Sequence, residues 1–412
     1  MTPVSQITRR GDALVLLVNG RPEVPCGYMS YQAEKADYAA FREMGFRLLF
    51  APVYAGDRGI NPSSGIRPFY PGFWKADGVF DFSAADAVFR EAVGQAAPGE
   101  VFLIPRLMLE PPSHWEDAHP EELCRDFSGA GVHQCYSSPV WLADTVRAME
   151  AFQEWLVSSG WDEYVAGWHL AGGHTEEFFR PHIHDFQATD YSERSAAAFR
   201  AWLEARYGSP EALSAAWGAR HASFERIRPP TPAQRRYAPD GVQRSRYVLD
   251  YDRFHSEELA RAVCTLAREA KRITGGQRVV GAFYGYWGMD AERGHGACDL
   301  IFDCPDVDFL ASPFSYDRRP GVDWAFPGAV DSAALHGKLW FMEADVRTHL
   351  SRPISQSMPH ANPVGNSRYD APVWWGPETE EASLAQMRQA WSKALTHGAA
   401  MWWFDMWGGW YR

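Results

Sequence analysis

The amino-acid sequence predicts an α/β protein: a (β/α)8 TIM barrel with a short N-terminal β-hairpin and a helical excursion after strand four. Short apolar strands alternate with amphipathic helices, a pattern typical of parallel βα units. Eight strands follow this pattern along 412 residues, a length that single α/β barrels often reach. Hydrophobic residues form 46% of the sequence, so a large core is available.

The N-terminal half predicts the hairpin and four barrel strands. Residues 1–22 are assigned to the hairpin because a strand at Ala13–Val18 precedes the turn Asn19-Gly20, and residues 23–412 are assigned to the barrel. Ser83-Ala84-Ala85-Asp86 resembles a capping box that opens a helix. The predicted strands are Pro25–Tyr28, Phe46–Val53, Val101–Leu107 and Tyr164–Leu170. The predicted helices between them are Asp37–Met44, Ser83–Ala97 and Thr145–Ser158.

The excursion covers roughly residues 175–276 and is predicted to be helical. Ser209 and Pro210 provide an N-cap and a first-turn proline, and Gly218 ends that helix. Arg253–Thr274 carries apolar residues at steps of three and four, which indicates a helix with one buried face.

The C-terminal half predicts the remaining four strands. They lie at Val279–Tyr286, Asp308–Ser315, Lys338–Ala344 and Ala399–Phe404, with a helix at Glu380–Thr396 before the last of them. The chain reaches Arg412 soon after strand eight, where a closing helix is expected. Either the barrel is left open at that position, or the chain is a truncated piece of a longer protein.

The charge and the cysteine content limit which partners and which cellular location are expected. The net charge of −12 disfavours a phosphate backbone, and we expect no nucleic-acid partner. No apolar run has the length of a membrane span, and Met1–Gly11 lacks the apolar core of a secretory signal. The six cysteines show no CxxC pairing, which favours reduced thiols and a cytoplasmic location.

Two strand ends carry carboxylates whose positions favour chemistry. In barrels of this kind, active sites form at the C-terminal ends of the strands. Glu176 and Glu177 follow strand four after two glycines, and Glu343 ends an apolar stretch in strand seven. An acid in such a stretch is costly to bury unless it is paired or used, and the structural alternative is an ion pair between Glu343 and Arg347.

Two carboxyl groups facing each other across a barrel mouth fit glycoside hydrolysis. One protonates the leaving oxygen while the other attacks the anomeric carbon or activates water. We assign Glu343 as nucleophile and Glu176 as acid/base, with Glu177 as the alternative acid/base. Adjacent residues of an extended segment point to opposite sides, so only one of the two is expected to face the mouth.

These residues resemble clan A glycoside hydrolases, in particular the β-galactosidases of family 42 or a sister family. The segment from Phe199 through Tyr207-Gly208 to Ala216-Trp217-Gly218 resembles a stretch that follows strand four in that family, and Gly167-Trp168 resembles the opening of its acid/base strand. The resemblance implies a retaining, exo-acting β-glycosidase that needs no cofactor and no metal, acts on an oligosaccharide or glycoside, and often assembles as a homo-oligomer. It also places the acid/base after strand four and the nucleophile after strand seven.

The sequence departs from the family at the acid/base. The family has Asn-Glu there, whereas this chain has Ala171-Gly172-Gly173 and its glutamates arrive three residues later. Thr175 then stands where the family has Asn, which puts the galactoside specificity in question. The further candidates for substrate binding are Arg106, His174, Thr175, Tyr316, Asp345, Trp403 and Trp407.

Two other functions remain as alternatives. The broken Asn-Glu motif is compatible with a non-catalytic carbohydrate-binding barrel, because a fold does not guarantee chemistry. A metal-dependent barrel hydrolase is the less favoured alternative: His182-Ile183-His184 has an HxH spacing, but it lies in the excursion and not at the end of strand one.

Overall fold

Eight parallel strands form a closed barrel, which confirms the predicted fold class. The computed structural model describes residues 2–58, 69–173, 175–180, 189–218, 223–235, 246–286, 294–315, 322–352, 356 and 375–411. The strands are Cys26–Met29, Leu48–Tyr54, Phe102–Met108, Gly167–Ala171, Val279–Phe283, Phe309–Pro313, Leu339–Ala344 and Ala400–Phe404. Strand eight pairs with strand one, where Met401 stands opposite Cys26, so the barrel is not left open there.

The N-terminal hairpin is present and carries one strand more than predicted. Ala13–Val18 pairs antiparallel with Arg21–Glu23 across the predicted Asn19-Gly20 turn, and the pairing crosses the predicted boundary at residue 22. The additional strand is Ser5–Arg10, which pairs antiparallel with the other edge of Ala13–Val18. The Ser5 hydroxyl accepts a hydrogen bond of 2.8 Å from the amide of Val279, the first residue of strand five. The sheet therefore contacts the N-terminal end of the barrel, opposite the end at which active sites form.

Helices alternate with the strands as predicted, with small shifts at their ends. Ser83 is the first helical residue and not the cap: its amide binds the Asp81 carboxylate at 3.0 Å, and the helix ends at Val93. Ser138 caps the helix before strand four by accepting the Trp141 amide. The helices associated with the barrel are Tyr38–Glu43, Ser83–Val93, Ser113–Ala118, Pro139–Ser159, Cys298–Asp303, Val330–Leu335 and Glu380–Thr396. Short 3-10 helices lie at Ala33–Lys35, Pro120–Glu122, Trp161–Glu163 and Phe224–Arg226.

The excursion after strand four is helical, as predicted, and has a small core of its own. Its helices are Glu193–Tyr207, Pro210–Trp217, Pro232–Arg235 and Arg246–Ile273. Ser209 caps the second of them and Gly218 ends it in a left-handed conformation. Phe199, Leu203, Leu213, Tyr251 and Phe254 are among the buried residues of this core. The last helix also packs against the helix before strand four, which fixes the excursion to the barrel.

The barrel interior contains a layer of aromatic rings below the mouth. Phe50 packs on Trp402 with ring centroids 4.6 Å apart, and His169 packs on Phe283 at 4.7 Å. Burial lowers the pKa of His169 well below its ordinary value, so the ring stays neutral among its aromatic neighbours. These buried rings form an aromatic floor, and polar groups at the strand ends, such as Arg106, lie directly above it.

Two short antiparallel pairs lie outside the barrel, Trp74–Ala76 with Val79–Phe80 and Leu123–Arg125 with Gly131–Gln134. The second pair brings His133 and Gln134 to the end of strand three. Among the described helices, none is both long and apolar enough to cross a membrane.

Candidate active site

Glu343, near the end of strand seven, is held by a buried arginine and a tryptophan. The guanidinium of Arg106, on strand three, donates to the Glu343 carboxylate, and the indole N–H of Trp402, on strand eight, donates to it at 3.3 Å. The Glu343 side chain is only 8% exposed, so it is paired and not merely solvated. The structural alternative, an ion pair with Arg347, is wrong: Arg347 binds Asp345 with an N–O distance of 2.9 Å.

Glu176 reaches the same arginine from the loop after strand four. Its Oε2 atom lies 3.6 Å from Nη1 of Arg106 and accepts a hydrogen bond of 2.8 Å from the Tyr31 hydroxyl. Tyr31 follows strand one. Side chains from strands three and seven and from the loops after strands one and four therefore converge, although their positions are far apart in the sequence.

One guanidinium group thus contacts both carboxylates. Arg106 is 1% exposed and lies over the aromatic floor, with its guanidinium carbon 4.9 Å from the centroid of Phe283 and 5.3 Å from that of Trp402. A planar guanidinium presents its N–H groups in a fixed fork, so one arginine can contact two carboxylates at once and hold them as neighbours. Glycoside hydrolysis uses a pair of neighbouring carboxyl groups, and the arrangement fits that chemistry.

The two carboxylates have different environments. Burial raises the pKa of Glu176 to about 8, against the opposing effects of Arg106 and the Tyr31 hydrogen bond. Burial also raises the pKa of Glu343, but the charge of Arg106 and its direct hydrogen bond act against that rise. Glu343 receives the closer guanidinium contact, which favours its ionised form, while Glu176 keeps its proton near neutral pH.

A family of known proteins shares this chain's sequence pattern. The sequence model of glycoside hydrolase family 42, described as β-galactosidase, matches residues 76–306. The chain belongs to this family. It is 28% identical over 331 residues to a β-galactosidase of Thermus thermophilus, an alignment that covers 74% of this chain and 44% of that protein. It is 30% identical over 210 residues to a β-galactosidase of an Arthrobacter species, covering 48% and 27% of the two chains.

Solved structures share the fold of this family 42 chain at low sequence identity. The catalytic domain of a β-amylase from Paenibacillus polymyxa superposes with a TM-score of 0.65 at 15% identity, covering 93% of this chain and 92% of that one. A β-galactosidase from the haloarchaeon Halorubrum lacusprofundi gives a TM-score of 0.56 at 19% identity, covering 92% and 52%. The chain spans less than half the length of the curated relatives it matches.

The loop that carries Glu176 is not extended in this family member. Thr175, Glu176 and Phe178 have positive φ angles of 60°, 69° and 54°. Strand alternation does not apply to a left-handed turn, so the extended segment on which the sequence argument for opposite-facing glutamates rests is absent here. Glu343 and Arg106 influence the pKa of both Glu176 and Glu177, so both carboxyls lie near the same centre.

Glu177 has its own set of contacts. Its carboxylate accepts a hydrogen bond from the Thr175 hydroxyl. Burial raises the pKa of Glu177 to about 7, and the nearby hydroxyls of Thr175 and Tyr286 act against that rise. Its backbone carbonyl binds the His295 ring at 3.0 Å. Glu177 is farther from the guanidinium contacts that define the centre, so Glu176 remains our predicted acid/base and Glu177 the alternative.

The two tryptophans predicted to bind substrate, Trp403 and Trp407, lie in different places. The Trp407 ring lies 6.3 Å from that of Tyr31 and 5.9 Å from that of Phe69, so the three rings form a wall next to Glu176. Trp403 lies on the other face of strand eight, where it packs on Tyr411 at 5.8 Å, while its neighbour Trp402 faces the barrel interior. The contacts place Trp407, and not Trp403, near the carboxylates.

Asp345 and Thr175, also predicted to bind substrate, are each bound to a neighbouring side chain. Asp345 pairs with Arg347, and its negative charge helps to raise the pKa of Glu343. Thr175 binds Glu177. His174, Tyr316 and the His182-Ile183-His184 motif lie outside the described residues. Within those residues, no group of three or more His, Cys, Asp or Glu side chains could hold a metal ion.

Sequence reasoning missed three side chains of the site. They are Tyr31, Tyr286 and Trp402. Alternation along strand eight carried the signal for Trp402, because Trp402 and Phe404 share the inward face while Trp403 does not. Tyr31 follows strand one in a loop, where periodicity gives no direction for a side chain. Tyr286 was placed at the end of predicted strand five, but the observed strand ends at Phe283, so alternation along the strand does not reach it.

Proposed function

We propose that this chain is the catalytic barrel of a retaining, exo-acting β-glycosidase that hydrolyses β-galactosides. The observation that carries the proposal is the pair Glu176 and Glu343, brought from the ends of strands four and seven onto the single guanidinium of Arg106. The names of the relatives, all β-galactosidases, support the choice of sugar. A protein that only binds sugars does not need two buried carboxyl groups, one protonated and one ionised, next to each other.

In the first half of the reaction, Glu343 attacks the anomeric carbon and Glu176 gives its proton to the leaving oxygen. A covalent glycosyl-enzyme forms and the aglycone departs as an alcohol. In the second half, Glu176 takes a proton from water, which attacks the anomeric carbon and releases Glu343. Arg106 and the Trp402 indole hold the Glu343 carboxylate in place, and Tyr31 orients the Glu176 carboxyl.

A panel of nitrophenyl glycosides tests the class and the sugar. We expect the β-galactoside to be cleaved fastest, with the β-anomer of galactose as the first product in NMR spectra. Cleavage of an α-glycoside, or an α-anomer as first product, would contradict the retaining β-mechanism. Binding of the same sugars without cleavage by any of them would identify a non-catalytic carbohydrate-binding barrel.

The pH dependence of kcat/KM is expected to have two limbs. Glu176 acts as an acid only while protonated, so activity falls as the pH rises through its pKa of about 8. Glu343 acts only while ionised, so activity also falls as the pH drops through the pKa of Glu343. A profile measured on a phenyl galactoside checks this, and a flat profile above pH 8 would exclude Glu176 as the acid.

Arg106→Met is expected to lower kcat/KM by about 100-fold, because the Glu343 and Glu176 carboxyls lose the group that holds them in place and a misplacement of about 1 Å can cost that much. Arg106 holds down the pKa of Glu343, so its loss should also move the acid limb to higher pH. Arg106→Lys is the control: it keeps the charge, and the limb should move less. An unchanged acid limb in Arg106→Met would contradict this role.

We also propose a cytoplasmic enzyme that forms a homo-oligomer and binds neither nucleic acid nor membranes. All six cysteines are free thiols, which supports a reducing compartment, and the net charge of −12 supports the absence of nucleic-acid binding. Sedimentation equilibrium tests the assembly: a single species of 46.4 kDa would contradict the oligomer.

A further inference from the structure

Glu110 is a third buried carboxylate near the site, and the mechanism above does not use it. It follows strand three and is 8% exposed. One of its oxygens accepts hydrogen bonds from the Gly173 amide and from Nε2 of Gln134, and the other contacts the His133 ring. Burial acts to raise the pKa of Glu110, but these three partners outweigh it and keep the pKa below its ordinary value. Glu110 is therefore ionised at neutral pH.

The Gly173 amide belongs to the turn that aims Glu176. Within this turn the Gly172 amide binds the Glu176 carbonyl at 3.2 Å, and the Phe178 amide binds the Gly172 carbonyl at 2.5 Å. Three non-glycine residues in it have positive φ angles, a conformation that costs about 1–3 kcal/mol per residue and persists only where the surroundings enforce it. The turn needs anchors, and Glu110 is a charged one.

The two glycines fit closely against this anchor. A Cβ atom at Gly172 would lie 3.4 Å from Oε1 of Glu110 and 3.2 Å from the Phe178 ring. A Cβ atom at Gly173 would collide with the Tyr136 hydroxyl and the Phe179 carbonyl. Gly173, whose amide binds Glu110, also has a positive φ angle of 73°, so its position admits only glycine. Gly172, Gly173 and Glu110 form one packed unit next to the acid/base.

We propose that Glu110, supported by His133 and Gln134, is a positioning residue that fixes the Gly172–Phe178 turn and so places the Glu176 carboxyl for proton transfer. This inference rests on the proposed function. Both oxygens of Glu110 are bound to Gly173, Gln134 and His133, so the carboxylate acts through the turn and does not reach the substrate. Its effect on catalysis is on the acid alone, and Glu343 stays on Arg106.

Two substrates with the same sugar and different leaving groups distinguish a misplaced acid from a general loss of activity. A phenyl galactoside needs a proton on its leaving oxygen, whereas a dinitrophenyl galactoside leaves readily without one. A misplaced acid therefore slows the first substrate and spares the second. The parameter to compare is kcat/KM, because it reports the step that releases the leaving group.

Glu110→Asp keeps the charge next to His133 but shortens the side chain, so it cannot hold Gly173 and His133 in the same geometry. We expect kcat/KM for the phenyl galactoside to fall about 100-fold, the loss that a misplacement of about 1 Å can cause, and that for the dinitrophenyl galactoside to fall less than about threefold. Glu110→Gln keeps the length and an acceptor for Gly173, and should restore most of the activity on both substrates.

Asp162→Ala is the matched control, because Asp162 is also a buried acid but pairs with Arg278 at the opposite end of the barrel. It should change the two substrates equally, if at all. An equal loss on both substrates in Glu110→Asp, or no loss on either, would overturn the positioning role. Failure of the wild type to cleave either galactoside would instead overturn the proposed function.

Discussion

Glu343→Ala is expected to lower kcat on a nitrophenyl β-galactoside by at least about 10⁴-fold, since the covalent intermediate can no longer form. The side chain removed is the carboxylate that Arg106 and Trp402 hold at the end of strand seven. The space it leaves faces the anomeric carbon from the side opposite the leaving group. A small anion in that space should replace the missing nucleophile.

Azide is such an anion, and its effect separates the nucleophile from a residue that only supports the fold. We expect azide to restore activity in Glu343→Ala and to give an α-galactosyl azide, because a single displacement inverts the anomeric centre. Asp162→Ala, at the other end of the barrel, should retain activity without azide. A β-galactosyl azide from Glu343→Ala would show that the nucleophile is still present elsewhere.

Glu176→Ala is expected to have the second largest effect, and its size should depend on the leaving group. General acid catalysis contributes about 10²–10⁴-fold to the rate. We therefore expect kcat/KM to fall by that much for a phenyl galactoside and only slightly for a dinitrophenyl galactoside. The alkaline limb near pH 8 should disappear with the carboxyl that causes it. Azide should here give the β-galactosyl azide, because the nucleophile is intact.

Glu177→Ala is the matched variant for this assignment. Glu177 is adjacent in sequence and is also buried, which raises its pKa, but its carboxylate binds Thr175 and not Arg106. We expect a uniform loss of about tenfold or less on both substrates. A leaving-group-dependent loss in Glu177→Ala, with little change in Glu176→Ala, would move the acid/base to Glu177.

The barrel could be predicted from sequence because its signals are local and repeated. Each strand is a short apolar run, and helices such as Pro210–Trp217 carry a cap, a first-turn proline and a terminal glycine. The first strand of the N-terminal sheet, Ser5–Arg10, is not predicted because most of its residues are polar and give no clear alternation. The closure of strand eight on strand one was left open, because pairing between chain ends has no local signature.

The site was predicted in part. Glu343 stood out as an acid in an apolar strand, and the family resemblance placed Glu176 and Glu177 after strand four. Arg106 was a candidate, but its contact with both carboxylates depends on long-range geometry. Glu110 had no signal of its own, since its partners His133 and Gly173 come from separate loops. The left-handed turn at Thr175–Glu176 was not predicted, because positive φ angles at non-glycine residues leave no sequence pattern.

Trapping of the glycosyl-enzyme tests the central claim most directly. A 2-deoxy-2-fluoro galactoside with a good leaving group should form the intermediate quickly and hydrolyse it slowly, because the fluorine disfavours the positively charged transition state. Mass spectrometry of the digested protein should then locate one added fluorosugar on the peptide that contains Glu343, and none in Glu343→Ala. A fluorosugar on another residue, or turnover of the β-galactoside with no labelled protein and an α-anomer as first product, would contradict Glu343 as the nucleophile of a retaining enzyme.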